Sequence, residues 1–96
     1  MKLVVTDRAD DDLHEIYRYL HPLNPQAAQD QIADIHKKFQ QLVRFPFIGR
    51  ERSTFAPKLR SVVSGPKVIF YLVTDDRIVI VRVLDGRMDL DEEFRR

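Results

Sequence analysis

The sequence predicts an α+β domain: a short N-terminal strand, an antiparallel helical hairpin, then a three-stranded antiparallel meander, with all strands in one sheet. Three observations carry this expectation. Apolar residues recur at helical spacing twice between Ala9 and Leu42. From Leu59 onward the pattern changes to β-branched runs. Gly65-Pro66 and Asp75-Asp76 divide those runs at hairpin spacing.

Lys2–Thr6 is the β-prone start. Thr6 or Asp7 can cap a first helix, and Asp10, Asp11 and Asp12 suit the positive end of its dipole. Ala9, Leu13, Ile16, Tyr17 and Leu20 form its apolar face. Pro22 and Pro25 end that helix, and Asn24-Pro25 supplies a cap and first position for the next. Ala28, Ile32, Ile35, Phe39 and Leu42 step along a second amphipathic helix that stops before Pro46. So short a link makes the two helices antiparallel. Phe45–Arg50 opens a connection without a clear period, a kind of segment that tends to carry function or mobility. Leu59–Val63, Lys67–Thr74 and Arg77–Leu84 are the meander. Leu90–Arg96 reads equally as a helix or a frayed tail.

Composition narrows the possibilities. Ninety-six residues support a single domain, residues 1–96, and 44% hydrophobic with 32% charged residues is the balance of a folded globule. The absence of cysteine excludes disulfides and thiolate zinc sites. His14, His21 and His36 lack metal-ligand spacing, so neither metal nor cofactor is expected. No apolar run approaches the roughly 20 residues of a membrane span, and no secretory leader follows Met1, which makes a cytoplasmic location the expectation.

The net charge of +1 conceals a segregation. Asp7, Asp10, Asp11, Asp12 and Glu15 outweigh Arg8 and Arg18 in residues 7–20, a local charge of −3. Arg44, Arg50, Arg52, Lys58, Arg60 and Lys67 face Glu51 alone in residues 44–67, a local charge of +5. The basic segment is either a footprint for an acidic protein or nucleic acid, or a solvated loop-rich face.

Arg60 and Arg82 stand inside β-branched runs. Strict alternation places Ile78, Ile80, Arg82 and Leu84 on one face of the last strand and Val79, Val81 and Val83 on the other. Each arginine can then point away from the core. On a common face the two would form a concave cationic site; inter-strand register decides this, and sequence parity does not. The competing role for either is an anchor, bonded to Asp85, Asp89 or loop carbonyls.

In order and spacing the chain resembles the RelE/ParE family of bacterial toxins, the toxin halves of type II toxin–antitoxin pairs. The resemblance rests on Ala9, Asp12-Leu13, Glu15-Ile16 and Tyr19, then Ala27 or Ala28, Leu42, Pro46 and Gly49-Arg50. It continues through Leu59-Arg60-Ser61, Val68-Ile69-Phe70-Tyr71, Ile80-Val81-Arg82-Val83-Leu84 and Arg87-Met88-Asp89. The Gly49-Arg50, Leu59-Arg60-Ser61 and Arg82–Asp89 segments look more like the ParE branch. That branch implies a toxin that binds DNA gyrase and stalls it on cleaved DNA. The RelE branch implies a ribosome-dependent mRNA endonuclease. A third possibility is a non-toxic relative that only binds an antitoxin.

RNA cleavage without a metal needs a base, an acid and cations for the phosphorane. Arg60 and Arg82 suit the cationic role, with Lys58 and Lys67 as electrostatic support. Acid and base are harder to find. Where many relatives carry a histidine after the Arg-Val-Leu run, this chain has Asp85, which an ordinary pKa of about 4 leaves ionised. Tyr71 is the remaining candidate, set against a packed ring with a wetted hydroxyl; the three histidines read as solvated.

The resemblance therefore implies no catalytic residue, with Lys58, Arg60, Arg82, Asp85, Arg87, Met88 and Asp89 as target-binding residues. It implies an antitoxin surface at Arg44, Phe47, Arg50, Arg52 and Phe55, with some of the loop's apolar side chains simply closing the core. The partners expected are DNA gyrase and a ribbon-helix-helix, ParD-like antitoxin with an acidic C-terminal segment, operator DNA being bound only through that antitoxin.

Overall fold

The computed structural model describes residues 1–95, so Arg96, the end of the C-terminal segment considered above, lies outside the described residues. The elements in chain order are β1 (Lys2–Val5), α1 (Asp7–Leu20), α2 (Pro25–Arg44), β2 (Arg50–Glu51), β3 (Arg60–Ser64), β4 (Lys67–Val73), β5 (Arg77–Asp85) and α3 (Leu90–Arg95). They build one five-stranded sheet in the order β1-β5-β4-β3-β2. The α+β class, the first strand, the helical hairpin and the meander are those the sequence predicts. Among the described residues no helix is long and apolar enough to cross a membrane.

Local chemistry places the helices. Thr6 caps α1, its side chain accepting from the Ala9 amide at 3.1 Å. The same hydroxyl donates to the Ile80 carbonyl at 2.9 Å, so the cap also fastens α1 to β5. Asn24 caps α2 by accepting from the Ala27 amide, and Pro25 opens the helix where its missing N–H costs nothing. At the β3–β4 turn, Gly65 takes a φ of 57°, the left-handed conformation that favours glycine.

β1 runs parallel to β5, with Lys2–Val5 opposite Arg77–Ile80. The other pairings are antiparallel. Leu13, Ile16, Ile35, Phe39 and Leu42 of the hairpin bury one sheet face with Ile69, Tyr71, Ile78, Ile80 and Val83. Tyr17, assigned to this stripe from spacing, is instead 39% exposed and stacks on His21.

Two further features depart from the sequence expectation. The connection after α2 contains the two-residue strand β2, too short to show a period. In β5, Phe70 pairs with Arg82 but Tyr71 pairs with Ile80, so Val81 has no cross-strand partner. This bulge shifts the alternation by one residue. Val83 joins Ile78 and Ile80 under the helices, and Leu84 goes to the other face. That second face is covered as well, by Phe55 and Ala56 from the loop and by Leu90 and Phe94 from α3, over Leu59, Val68, Phe70 and Leu84.

Candidate functional site

The bulge and the end of β5 form one wall of a cavity of about 500 Å³, with α1 and α3 on its other sides. Arg82, Asp85, Arg87 and Met88 line it, together with Asp12, Lys67 and Glu93. Four of the seven expected target-binding residues thus meet. Lys58 and Arg60 do not join them; they line a separate cavity with Phe47 and Glu51. Asp89 caps α3 instead, accepting from the Glu92 amide at 3.2 Å.

Arg82 is an anchor held by acids that the sequence reading did not pair with it. Its Nε donates to Asp12 Oδ2 at 2.8 Å and a terminal nitrogen donates to Oδ1 at 3.0 Å. Asp12 Oδ2 also accepts from the Val83 amide at 2.9 Å, and Glu93 stands 3.7 Å from the guanidinium. Arg82 is only 12% exposed, and the Asp12 hydrogen bonds, opposed by burial, raise its pKa further. Asp12 was detectable in principle. It lies three residues after Ala9 and four before Ile16, so it borders the buried stripe of α1.

Asp85 is the centre of a second cluster. Arg87 grips it through two side-chain bonds of 3.1 Å and a backbone bond of 2.8 Å, and Lys67 lies 3.4 Å away. The Arg87 hydrogen bonds, reinforced by Lys67, hold this carboxyl well below the usual carboxylate range. At neutral pH it is an anion with no proton to donate. Arg87 itself is 88% exposed and Met88 is 42% exposed, so both face outward.

Arg60 is opposite Tyr71 and Arg82 is opposite Phe70, neighbours on β4 whose side chains enter opposite cores. The two arginines share no partner and form no common cationic site. Arg60 donates to the Gly49 carbonyl at 2.7 Å and stacks over Phe47 at 5.0 Å. It is the loop-carbonyl anchor that the sequence allowed.

Tyr71 differs from both of its readings. Its hydroxyl is enclosed, donating to the Pro46 carbonyl at 2.8 Å and accepting from the Gly49 amide at 2.8 Å. Burial raises its pKa, so it serves as a lock on the loop after α2. Gly49 is demanded there. A Cβ would overlap the Tyr71 hydroxyl, lie 2.6 Å from its ring and 2.8 Å from the Ser61 carbonyl.

The residues expected at an antitoxin surface also divide. Arg44, Phe47 and Arg50 are exposed. Arg52 is turned inward, donating to Ser61 Oγ at 2.8 Å and packing over Phe55 and Phe70, while burial and Arg50 lower its pKa. Phe55 stacks on Phe94 at 5.2 Å and belongs to the second core. Lys58 is exposed at a φ of 63°, in the turn that leads into β3.

Comparison with known proteins agrees with this architecture. The family model described as "ParE toxin of type II toxin-antitoxin system, parDE" matches residues 3–90. Toxin ParE3 of Caulobacter vibrioides is 33% identical over 90 residues, covering 93% of this chain and 90% of that protein. A solved structure titled "Chromosomal ParDE TA system from P. aeruginosa" superposes with a TM-score of 0.77 at 26% identity, over 88% of this chain and 95% of its own. The chain belongs to the ParE toxin family of type II toxin–antitoxin systems.

Proposed function

We propose that this protein inhibits DNA gyrase by binding it and stalling it on cleaved DNA, and that a cognate antitoxin neutralises the toxin. The match of residues 3–90 to the ParE toxin family is the observation that carries this reading. The site chemistry supports binding over RNA cleavage. Asp85 is kept ionised by Arg87, and Tyr71 uses its hydroxyl within the core. His14 and His21 line a different cavity, beside Tyr17. A proton shuttle needs a group poised near neutral pH and within reach of substrate, and these groups do not meet that need.

In this proposal Arg87 and Met88 are the outward contacts at the mouth of the α1–β5–α3 cavity, and Arg82 and Asp85 support them from beneath. The antitoxin is a ribbon-helix-helix, ParD-like protein with an acidic C-terminal segment, and operator DNA is reached only through it. Toxin, antitoxin and gyrase meet in the cytoplasm.

The test is supercoiling by purified gyrase, with cleaved DNA scored after protein removal. The parent protein is expected to inhibit and to trap cleaved DNA. Arg87→Ala/Met88→Ala is expected to weaken inhibition by about tenfold or more, the scale of a truncated contact residue, with the fold retained and the melting temperature lowered only by the loss of the Arg87 side-chain bonds to Asp85. Absence of inhibition at large excess of folded protein refutes gyrase as the target, and cleavage of ribosome-bound mRNA becomes the assay to run.

A further inference from the structure

The α1–β5–α3 cavity holds one polar atom that the fold leaves unused. Gln31 of α2 lines it, and Gln31 Oε1 is buried without a hydrogen-bond partner, the one such side-chain atom among the described residues. Buried acceptors are almost always paired, so one left open at a cavity points to a donor from outside. Neither the Arg82–Asp12 pair nor the Arg87–Asp85 pair reaches it.

The rest of the lining says what that donor is. Ile16, Val83 and Leu84 are buried and make an apolar floor, while Tyr19 and Met88 are exposed at the rim. At about 500 Å³ the space is that of a small-ligand site. Its three cations, Lys67, Arg82 and Arg87, each have a carboxylate within 3.4 Å. The carboxylates are less well matched. Asp12 and Asp85 are committed to those cations, but Glu93 is 16% exposed and stands 3.7 Å from Arg82, beyond the roughly 2.7–2.9 Å of a charge-assisted bond. Glu15 leans on Arg18 in an exposed pair at 3.3 Å, a kind that water holds weakly. Four acids against three bases leave the lining with an excess negative charge. An open acceptor, an underused carboxylate and apolar walls suit a cation on an apolar stem and suit an anion badly.

We infer that this cavity binds such an organic cation, a guanidinium or ammonium group carried on an apolar stem. The head donates to Gln31 Oε1, the Glu93 and Glu15 carboxylates offset its charge, and the stem lies against Ile16, Val83 and Leu84. Its source is an arginine or lysine of the protein target, which rests on the gyrase binding proposed above and sets that anchor behind Arg87 and Met88. The site itself does not depend on that reading.

The test is NMR titration of the folded protein with benzamidine, benzamide and benzoate, which are a cation, a neutral molecule and an anion of nearly one shape. Benzamidine is expected to bind most tightly and benzoate least, with shifts at the Gln31 side-chain amide and the Val83 and Leu84 methyls. Gln31→Leu removes an acceptor that the fold does not use. It is expected to melt at or above the parent's temperature while binding benzamidine about tenfold or more weakly. Glu93→Gln is expected to weaken benzamidine but not benzamide. No binding at millimolar concentrations, or a preference for benzoate, overturns the inference. Equal affinities overturn it too, leaving an adventitious additive only. So does a Gln31→Leu protein that melts lower and binds benzamidine like the parent, since Oε1 then serves the fold. Benzamidine that relieves gyrase inhibition by the parent, but not by Gln31→Leu, supports a target side chain as the occupant. Binding without relief upholds the site and assigns it to a free organic cation instead. The titrations need no gyrase, so failure of the gyrase reading and failure of the site are told apart.

Discussion

Replacing Asp12 by alanine separates support from contact at this site. Asp12 receives three hydrogen bonds, two from Arg82 and one from the Val83 amide. The side chains of Asp12 and Arg82 are 14% and 12% exposed, so the pair is largely withdrawn from water. Removing one partner of a buried ion pair costs about 3–5 kcal/mol, because the other charge stays desolvated. Glu93 remains 3.7 Å from Arg82 and some solvent reaches both groups, which favours the lower end, about 3 kcal/mol. For a domain of this length each kcal/mol moves the melting temperature by roughly 4–8 °C, so a fall of about 12–24 °C is expected. Arg82→Ala should also destabilise. The double variant should be more stable than the summed single losses imply, by about 1–2 kcal/mol, because the stranded charge is gone. Urea unfolding of the four proteins measures this directly. Additive losses under about 0.5 kcal/mol each refute the reasoning. So does an Arg82→Ala protein that melts like the parent yet no longer inhibits gyrase, since Arg82 would then be a contact and not a support.

Tyr71→Phe should cost about 2 kcal/mol by stranding the buried Gly49 amide and the Pro46 carbonyl, and urea unfolding beside a surface Tyr19→Phe control checks it. Gly49→Ala should cost about 1–3 kcal/mol from overpacking, and the loss should be non-additive with Tyr71→Phe because the same hydroxyl is involved; independent effects sink the lock. Asp85 contributes to the acid limb of stability. Its folded pKa is depressed, so the unfolded chain binds the proton more readily, and the stabilisation is present above the ordinary value of about 4 and fades as pH falls below it. Denaturation midpoints between about pH 5 and pH 2 should fall less steeply in Asp85→Asn, and parallel profiles refute this.

Much of the architecture is written locally. Thr6 and Asn24-Pro25 start the helices, the apolar steps from Ala9 to Leu42 orient them, and Gly65-Pro66 turns the meander. Each signal acts over a few residues, so spacing is enough to reveal it. The split of the arginines was not visible in the same way. Arg82 finds Asp12 across 70 residues, through a bulge that parity arguments omit. Arg60 and Tyr71 meet over Gly49 because β3 and β4 adopt one register among several that the pattern permits.

The sequence by itself determined the α+β class, the helical hairpin, the order of the strands along the chain, and the family that the chain resembles. Only the tertiary structure decided which charges are paired within the fold. The physical reason is that periodicity records the side of an element on which a residue lies. Ion pairing and open strand edges depend on where distant elements come to rest, and here a one-residue bulge at Val81 and a two-residue strand at Arg50–Glu51 set those positions.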